Sequence, residues 1–279
     1  TKEKKTKRFT RLKFHNTEVS LINRFVSVYK KLFPSIPISK KELDKGLFQI
    51  DTANSLFATI CASLGIKSPY KDSDLLPILN AKPSLIKSFL KGYFDGDGTA
   101  YFKEKERIRG HYSNIRIYCV SYLNIKRIHQ MLLKLSISNR IIDIKSGFRR
   151  MYAIEVGDIH SKKKFIKEIG TNHPLKKDYF MNIRNLEGGS FGDRFYVGLH
   201  FKNAINKKKI NLRKMGGNLM RVLNSNIPIT RGFYKKCSKI VHLPNLDEFV
   251  IEKIKSIKPI KGEGFVYDMA VPKTHNFLI

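Results

Sequence analysis

Two aspartates separated by one glycine, Asp95 and Asp97, close the segment KPSLIKSFLKGYFDGDG. Pro83 and Ser84 open a helix in that segment, so both acids fall at its carboxyl end. Negative side chains there oppose the helix macrodipole at a cost of about 0.3–1 kcal/mol each, and a positive partner is expected. A hard cation such as Mg²⁺ suits carboxylate oxygens supplemented by helix-terminal carbonyls such as that of Gly96. A solvated acidic turn capped by Gly98 accounts for the same residues. Softer metal chemistry has no visible basis. The eight histidines are scattered, and Cys61, Cys119 and Cys237 lie far apart, without the close pairs of a zinc site or disulfide framework. All three read as small core residues.

The elements that must position the acids come from periodicity. Along the motif helix, Leu85, Phe89 and Tyr93 with Ile86, Leu90 and Phe94 form a broad apolar stripe. Gly92 and Gly96, four apart, make a small-residue face that another backbone can approach closely. On either side the chain repeats itself. From Arg8 to Gly65, RFTRLKF alternates as a strand and Leu21, Phe25, Val28 and Leu32 mark an amphipathic helix. A Pro-containing loop leads to a strand around Leu47 to Ile50, and TANSLFATICASLGI is a helix ended by Gly65. After the motif, IRIYCV is a strand and Ile125, Ile128, Leu132 and Leu135 mark a helix. RIIDI and MYAIEV are strands, and IHSKKKFIKEIG is a helix ended by Gly170. Phe14 aligns with Tyr118, Phe48 with Tyr152 and Gly65 with Gly170, a period of about 104 residues.

Charge narrows the partners. The 279 residues are 42% apolar, which excludes a disordered chain, and 54 Lys plus Arg against 23 Asp plus Glu leave +31. A polyanion is expected to exploit that excess; nucleic acid leads, and an anionic membrane surface is the weaker candidate. No apolar run approaches the roughly 18 residues of a membrane span, and no signal-peptide pattern opens the chain. A soluble, intracellular (cytoplasmic) protein is expected. The chain begins with Thr1 rather than Met.

Residues 90–98, LKGYFDGDG, resemble the motif of the LAGLIDADG homing endonucleases, and the surrounding strand and helix order is similar to that family's too. The resemblance implies an α+β fold of two pseudo-twofold related αββαββα halves forming a DNA-binding saddle. The two motif helices would pack through their glycines, here Gly92 and Gly96, and each would deliver one acid to a shared metal site. It implies Asp97 as the metal-binding catalytic acid, with Gly96 beside it, Mg²⁺ as cofactor and Asp95 as structural. The period carries the first motif's acid to before residue 1. The chain is therefore expected to lack its first motif helix, supplied by the rest of a longer protein, by another polypeptide or by a second copy.

The carboxyl end, GEGFVYDMAVPKTHNFLI, resembles the penultimate block of inteins, which implies Asp268 and His275 as assistants of splicing chemistry. The terminal His-Asn and an amino-terminal Cys or Ser block are absent, so the chain in isolation is not expected to splice. IGTNHPLKK resembles the block in such inteins whose lysine lies near the active site. That implies Lys176 as a cation acting on the scissile phosphate or the attacking water. Upstream of the motif the corresponding lysine position holds Asp74, with Lys71 and Lys67 nearby as substitutes.

Sequence recognition is expected from the strands, since a twisted β-ribbon can follow the major groove. Candidates are Arg8, Arg11 and Lys13 in the first half and Arg107, Arg109, His111, Arg116, Arg149 and Arg150 in the second. A basic block around Lys207, Lys208 and Lys209 reads as a small helical module adding phosphate contacts, or as a flexible linker. The domain expectation is 1–66 for the incomplete first half and 67–177 for the second half with its motif helix. A basic, DNA-contacting appendage follows at 178–250, and a remnant of an intein splicing (Hint-like β) segment at 251–279. The expected activity is site-specific, Mg²⁺-dependent hydrolysis of double-stranded DNA. A DNA-binding remnant that no longer cuts and an RNA-binding maturase on the same fold are the alternatives.

Overall fold

The computed structural model describes residues 11–43, 46–67, 73–104, 111–146, 149–186, 194–195, 203 and 229–241. Arg8, Lys71, Arg107, Arg109, Lys207, Lys208, Lys209, Asp268 and His275 lie outside them, as does the whole 251–279 segment. Arg11, His111 and Arg149 lie in strands, with side chains outside the description.

Residues 11–67 build one unit: β1 (Arg11–Asn16), α1 (Val19–Leu32), β2 (Ser39–Glu42), β3 (Phe48–Ala53) and α2 (Ser55–Ser63). Residues 73–186 build a second. It contains α3 (Leu76–Leu79), α4 (Pro83–Asp97), β4 (Gly98–Glu104), β5 (His111–Cys119), α5 (Tyr122–Lys134), β6 (Arg140–Ser146), β7 (Arg149–Val156), α6 (Ile159–Glu168) and α7 (Pro174–Arg184). The first sheet has order β1-β3-β2 and the second β4-β5-β7-β6, all pairs antiparallel. The order β1-β3-β2 thus recurs as β5-β7-β6, with a helix after the first strand and another after the last. Asn54 caps α2 and Asp158 caps α6, each through its side chain to the third residue on, and Gly65 and Gly170 follow with φ of +83° and +67°. No counterpart of α4 or β4 precedes β1 among the described residues. Further on, β8 (Arg194–Phe195) pairs with β9 (Ile229–Thr230), which leads into α8 (Arg231–Val241) with Tyr234 and Cys237 buried.

The main core lies in the second unit. Ile86, Leu90 and Phe94 are fully buried along one face of α4, each worth about 1.5–3 kcal/mol of burial. Phe94 packs edge-on to Phe165 of α6 and stacks on Phe180 of α7, at centroid distances of 5.1 and 5.5 Å. Ile125, Ile128, Leu132 and Leu135, read from periodicity, are all buried on α5. Helix α7 closes this core and runs through residue 177, where the sequence suggested a boundary.

Two expectations for the first unit need correction. Val28 and Leu32 of α1 are 47% and 62% exposed, and the buried residues are Leu21, Ile22 and Tyr29. The helix is rotated because Phe14 of β1 stacks on Phe25 and the Tyr29 hydroxyl is held by Thr52 Oγ1 and Asn54 Nδ2, both at 2.8 Å. The Pro-containing loop also holds a strand, β2. All four of its residues are exposed, so it carries no alternation for sequence reading to detect.

Candidate active site

Helix α4 brings Asp95 and Asp97 to its last turn, and Gly98 ends it. A Cβ on Gly98 would meet the Phe94 ring at 2.1 Å and the Phe94 carbonyl at 2.5 Å, so only glycine lets β4 leave this tightly. The two acids have opposite environments. Asp95 is buried, and both its oxygens are taken: Oδ1 by the Thr171 hydroxyl at 2.5 Å and the Asn172 amide at 2.8 Å, Oδ2 by Asn172 Nδ2 at 2.7 Å. Asp97 is exposed, and its carboxyl accepts no hydrogen bond among the described residues. The surrounding protein pushes its pKa above the usual aspartate range, with Lys176 pulling the other way.

Lys176 arrives from the first turn of α7, where Pro174 starts the helix. Its Nζ donates to the Phe94 and Asp95 carbonyls at 2.7 and 2.8 Å and sits 5.1 Å from the centroid of the Phe94 ring. This is the positive group expected at the end of α4, and it answers the macrodipole directly. Burial lowers its pKa, against the pull of Asp95 and Asp97. His173, just before α7, has a buried Nδ1 without a hydrogen-bond partner among the described residues. Its pKa is lowered by burial and then by Lys176, while Glu18 and Asp95 oppose the shift. Sequence reading missed Thr171, Asn172 and His173, although all three stand in the block that singled out Lys176.

A hard cation fits this end of α4 in part. Asp97 offers carboxylate oxygens and Gly96 a carbonyl, whereas Asp95 has none to spare and no cluster of three or more His, Cys, Asp or Glu is present among the described residues. Asp74 is turned elsewhere: it accepts from Arg127 of α5 at 3.0 Å and from the Leu76 amide at 3.0 Å. The Arg127 hydrogen bond leads in lowering its pKa.

The small-residue face of α4 is open. A Cβ on Gly92 or Gly96 would meet nothing within 4 Å, and Leu85 on the same helix is 59% exposed. Helix α2 shows a matching lack. Leu56, Ile60 and Leu64 are 58%, 40% and 41% exposed, while Phe165 and Ile169, at the corresponding places of α6, are 0% and 4% exposed beneath α4 and α7.

The sheet faces turned away from the helices carry the basic residues. On β5, Ile115, Ile117 and Cys119 face the core, leaving Asn114, Arg116 and Tyr118 outside. Lys13 is exposed on β1 opposite Asp51, beside His15, whose Nε2 lies 2.8 Å from Gln49 Oε1. Arg116 pairs with Glu155, which also pairs with Arg140, a residue sequence reading passed over. Arg150 has the register of Ile154 and Val156 and so lies on the helix side. There it pairs with Asp143 and covers the Tyr152 ring at 5.4 Å, apart from the face carrying Arg116.

Similarity to known proteins is low in identity and broad in extent. A DNA polymerase of Thermococcus litoralis is 21% identical over 276 residues, 96% of this chain; the chain spans only 13% of that protein's length. Among solved structures, I-DmoI in complex with DNA and Ca aligns with a TM-score of 0.47 and 14% identity over 65% of this chain and 88% of that one. The LAGLIDADG meganuclease I-AabMI bound to uncleaved DNA aligns with a TM-score of 0.38 and 11% identity over 85% and 90%. Residues 84–170, from the first turn of α4 to the glycine after α6, match the family described as a LAGLIDADG-like domain.

Proposed function

We propose that this chain is part of a site-specific double-strand DNA endonuclease of the LAGLIDADG type, borne by an intein and dependent on Mg²⁺. The observation that carries the reading is the end of α4, where an exposed, unbonded Asp97 stands beside Lys176 on a helix whose glycine face is open. A second motif helix packed there would bring a second acid to Asp97 and would cover the apolar stripe of α2. Bound Mg²⁺ would supply Lewis acidity toward the phosphoryl oxygen and an activated water. The chain's own residues do the positioning. Asp97 and Gly96 offer the ligands, Asp95 ties α4 to residues 171–172, and Lys176 holds positive charge where the scissile phosphate would lie. The excess of +31 supplies sequence-independent attraction to the duplex. The full-length match to a far longer polymerase supports placement of this segment inside a host protein.

The test joins a second motif helix to the chain and supplies DNA carrying the uninterrupted host-gene junction with Mg²⁺. Cleavage is expected, reduced about 100-fold or more by Asp97→Asn with binding retained. Equal cutting by that variant would remove Asp97 from catalysis. A specific observation favours one other reading, a DNA-binding remnant: Asp74, in the place of the first-half lysine, is committed to Arg127. That reading expects tight, salt-sensitive binding and no product at any Mg²⁺ concentration.

A further inference from the structure

We infer that Glu155 determines sequence specificity: it holds Arg116 and Arg140 side-on, so that each presents the end of its guanidinium to base edges. This rests on the DNA reading of the sheet face. Glu155 stands on β7 between its register partners, Arg116 on β5 and Arg140 on β6. Its Oε2 accepts Arg116 Nε at 2.8 Å and Nη2 at 2.5 Å, and its Oε1 accepts Arg140 Nε at 3.2 Å and Nη2 at 2.6 Å. The Glu155 side chain is 13% exposed, against 31% and 71% for the two arginines, so the acid lies beneath them. Both guanidiniums spend the same edge, Nε with Nη2, on the carboxylate. The carboxylate leaves the end formed by Nη1 and the second Nη2 hydrogen unused in each, and Arg116 makes one further side-chain hydrogen bond, to Tyr118. That end-on fork matches guanine O6 and N7 in the major groove.

The arrangement separates recognition from plain attraction. Two free arginines would offer two charges to any phosphate, whereas the clamped trio offers one and has its rotamers fixed before binding. Both guanidiniums converge on one carboxylate and lie closer together than the strands that carry them, so the two forks reach guanines within about two base pairs of each other. A purely structural cross-strand ion pair would stabilise the sheet without affecting base preference.

The experiment selects bound sequences from a randomised duplex library with the full chain and with its Glu155→Gln and Arg140→Ala variants. Thermal unfolding confirms that each is folded. The parent is expected to enrich two guanines at that spacing. Glu155→Gln is expected to weaken the preference for both by about fivefold or more. It should also bind unselected duplex more tightly, with a salt slope steeper by about 0.9. Arg140→Ala, at an exposed position, should erase one guanine and leave the other, which keeps the inference testable if the glutamate variant does not fold. A Gln variant that selects the same guanines with the same salt slope overturns the role of Glu155, as does a parent motif without paired guanines. A parent that enriches no sequence at all overturns the DNA reading itself.

Discussion

Asp95 and Asp97 are two residues apart, and their surroundings give them different work. Asp95 gathers three hydrogen bonds from Thr171 and Asn172, more than seventy residues away. Replacing it with Ala strands those donors, and a loss of roughly 1–3 kcal/mol per abandoned buried group is expected in urea unfolding. Asp97 runs the other way. Its folded pKa is raised above the ordinary 3.8, so ionisation costs stability as pH rises through that region. Asp97→Asn should therefore raise the thermal midpoint at neutral pH, and the gain should vanish below about pH 4. An unchanged midpoint at pH 7 would count against the strained environment of this acid. The helix ending in these acids was readable from Pro83, the apolar stripe and Gly98. The partners of Asp95 were not, because a hydrogen bond that joins α4 to the turn before α7 leaves no period in the sequence.

Among the elements, α4 and α2 each leave a face uncovered, and this makes opposite predictions for similar changes. Gly92→Ala places a methyl in open space and adds helix propensity, so the chain should gain about 0.5–1 kcal/mol. The same change should weaken docking of a second motif helix, measured as reduced binding of the helical peptide. Helical periodicity located α1 and α5 alike, yet it chose the buried face correctly only on α5. There the sheet and helices enclose Ile125, Ile128 and Leu132 from several sides. On α1 the rotation was decided by the stacking of Phe14 on Phe25 and the hydroxyl of Tyr29, and an aromatic with a polar tip scores poorly as a core residue until its partner is known. Strand β2 escaped because its residues alternate between two exposed surfaces.

For the whole molecule, charge governs both binding and acid stability. Glu168 and Asp74 titrate below their ordinary values chiefly through hydrogen bonds from Lys87 and Arg127; burial pushes Glu155 up, but Arg116 and Arg140 outweigh it. The sign follows from linkage: such carboxylates contribute stability that is fully present above their unfolded values of 4.5 and 3.8 and is lost as pH falls through the lower folded ones. Unfolding should therefore steepen below about pH 4, and Glu155→Gln should flatten it, read by circular dichroism against pH. The repeat was legible because aromatic strand positions and helix-ending glycines recur at one period. The sharing of one glutamate by two arginines was not, since it depends on strand register.

One contact between the two units bears on how the chain tolerates change. The Asp74 amide donates to the Gly65 carbonyl at 2.9 Å, and a Cβ on Gly65 would fall 1.8 Å from the Asp74 carbonyl oxygen. The stretch from 66 to 73 thus begins and ends at a staple, and its length is not the ruler that sets the gap between the units. The hydrogen bond between Gly65 and Asp74 therefore fixes the two units at this point. A side chain at residue 65 would drive the two units apart at this hinge, so the one atom that glycine lacks decides how closely the two sheets are joined.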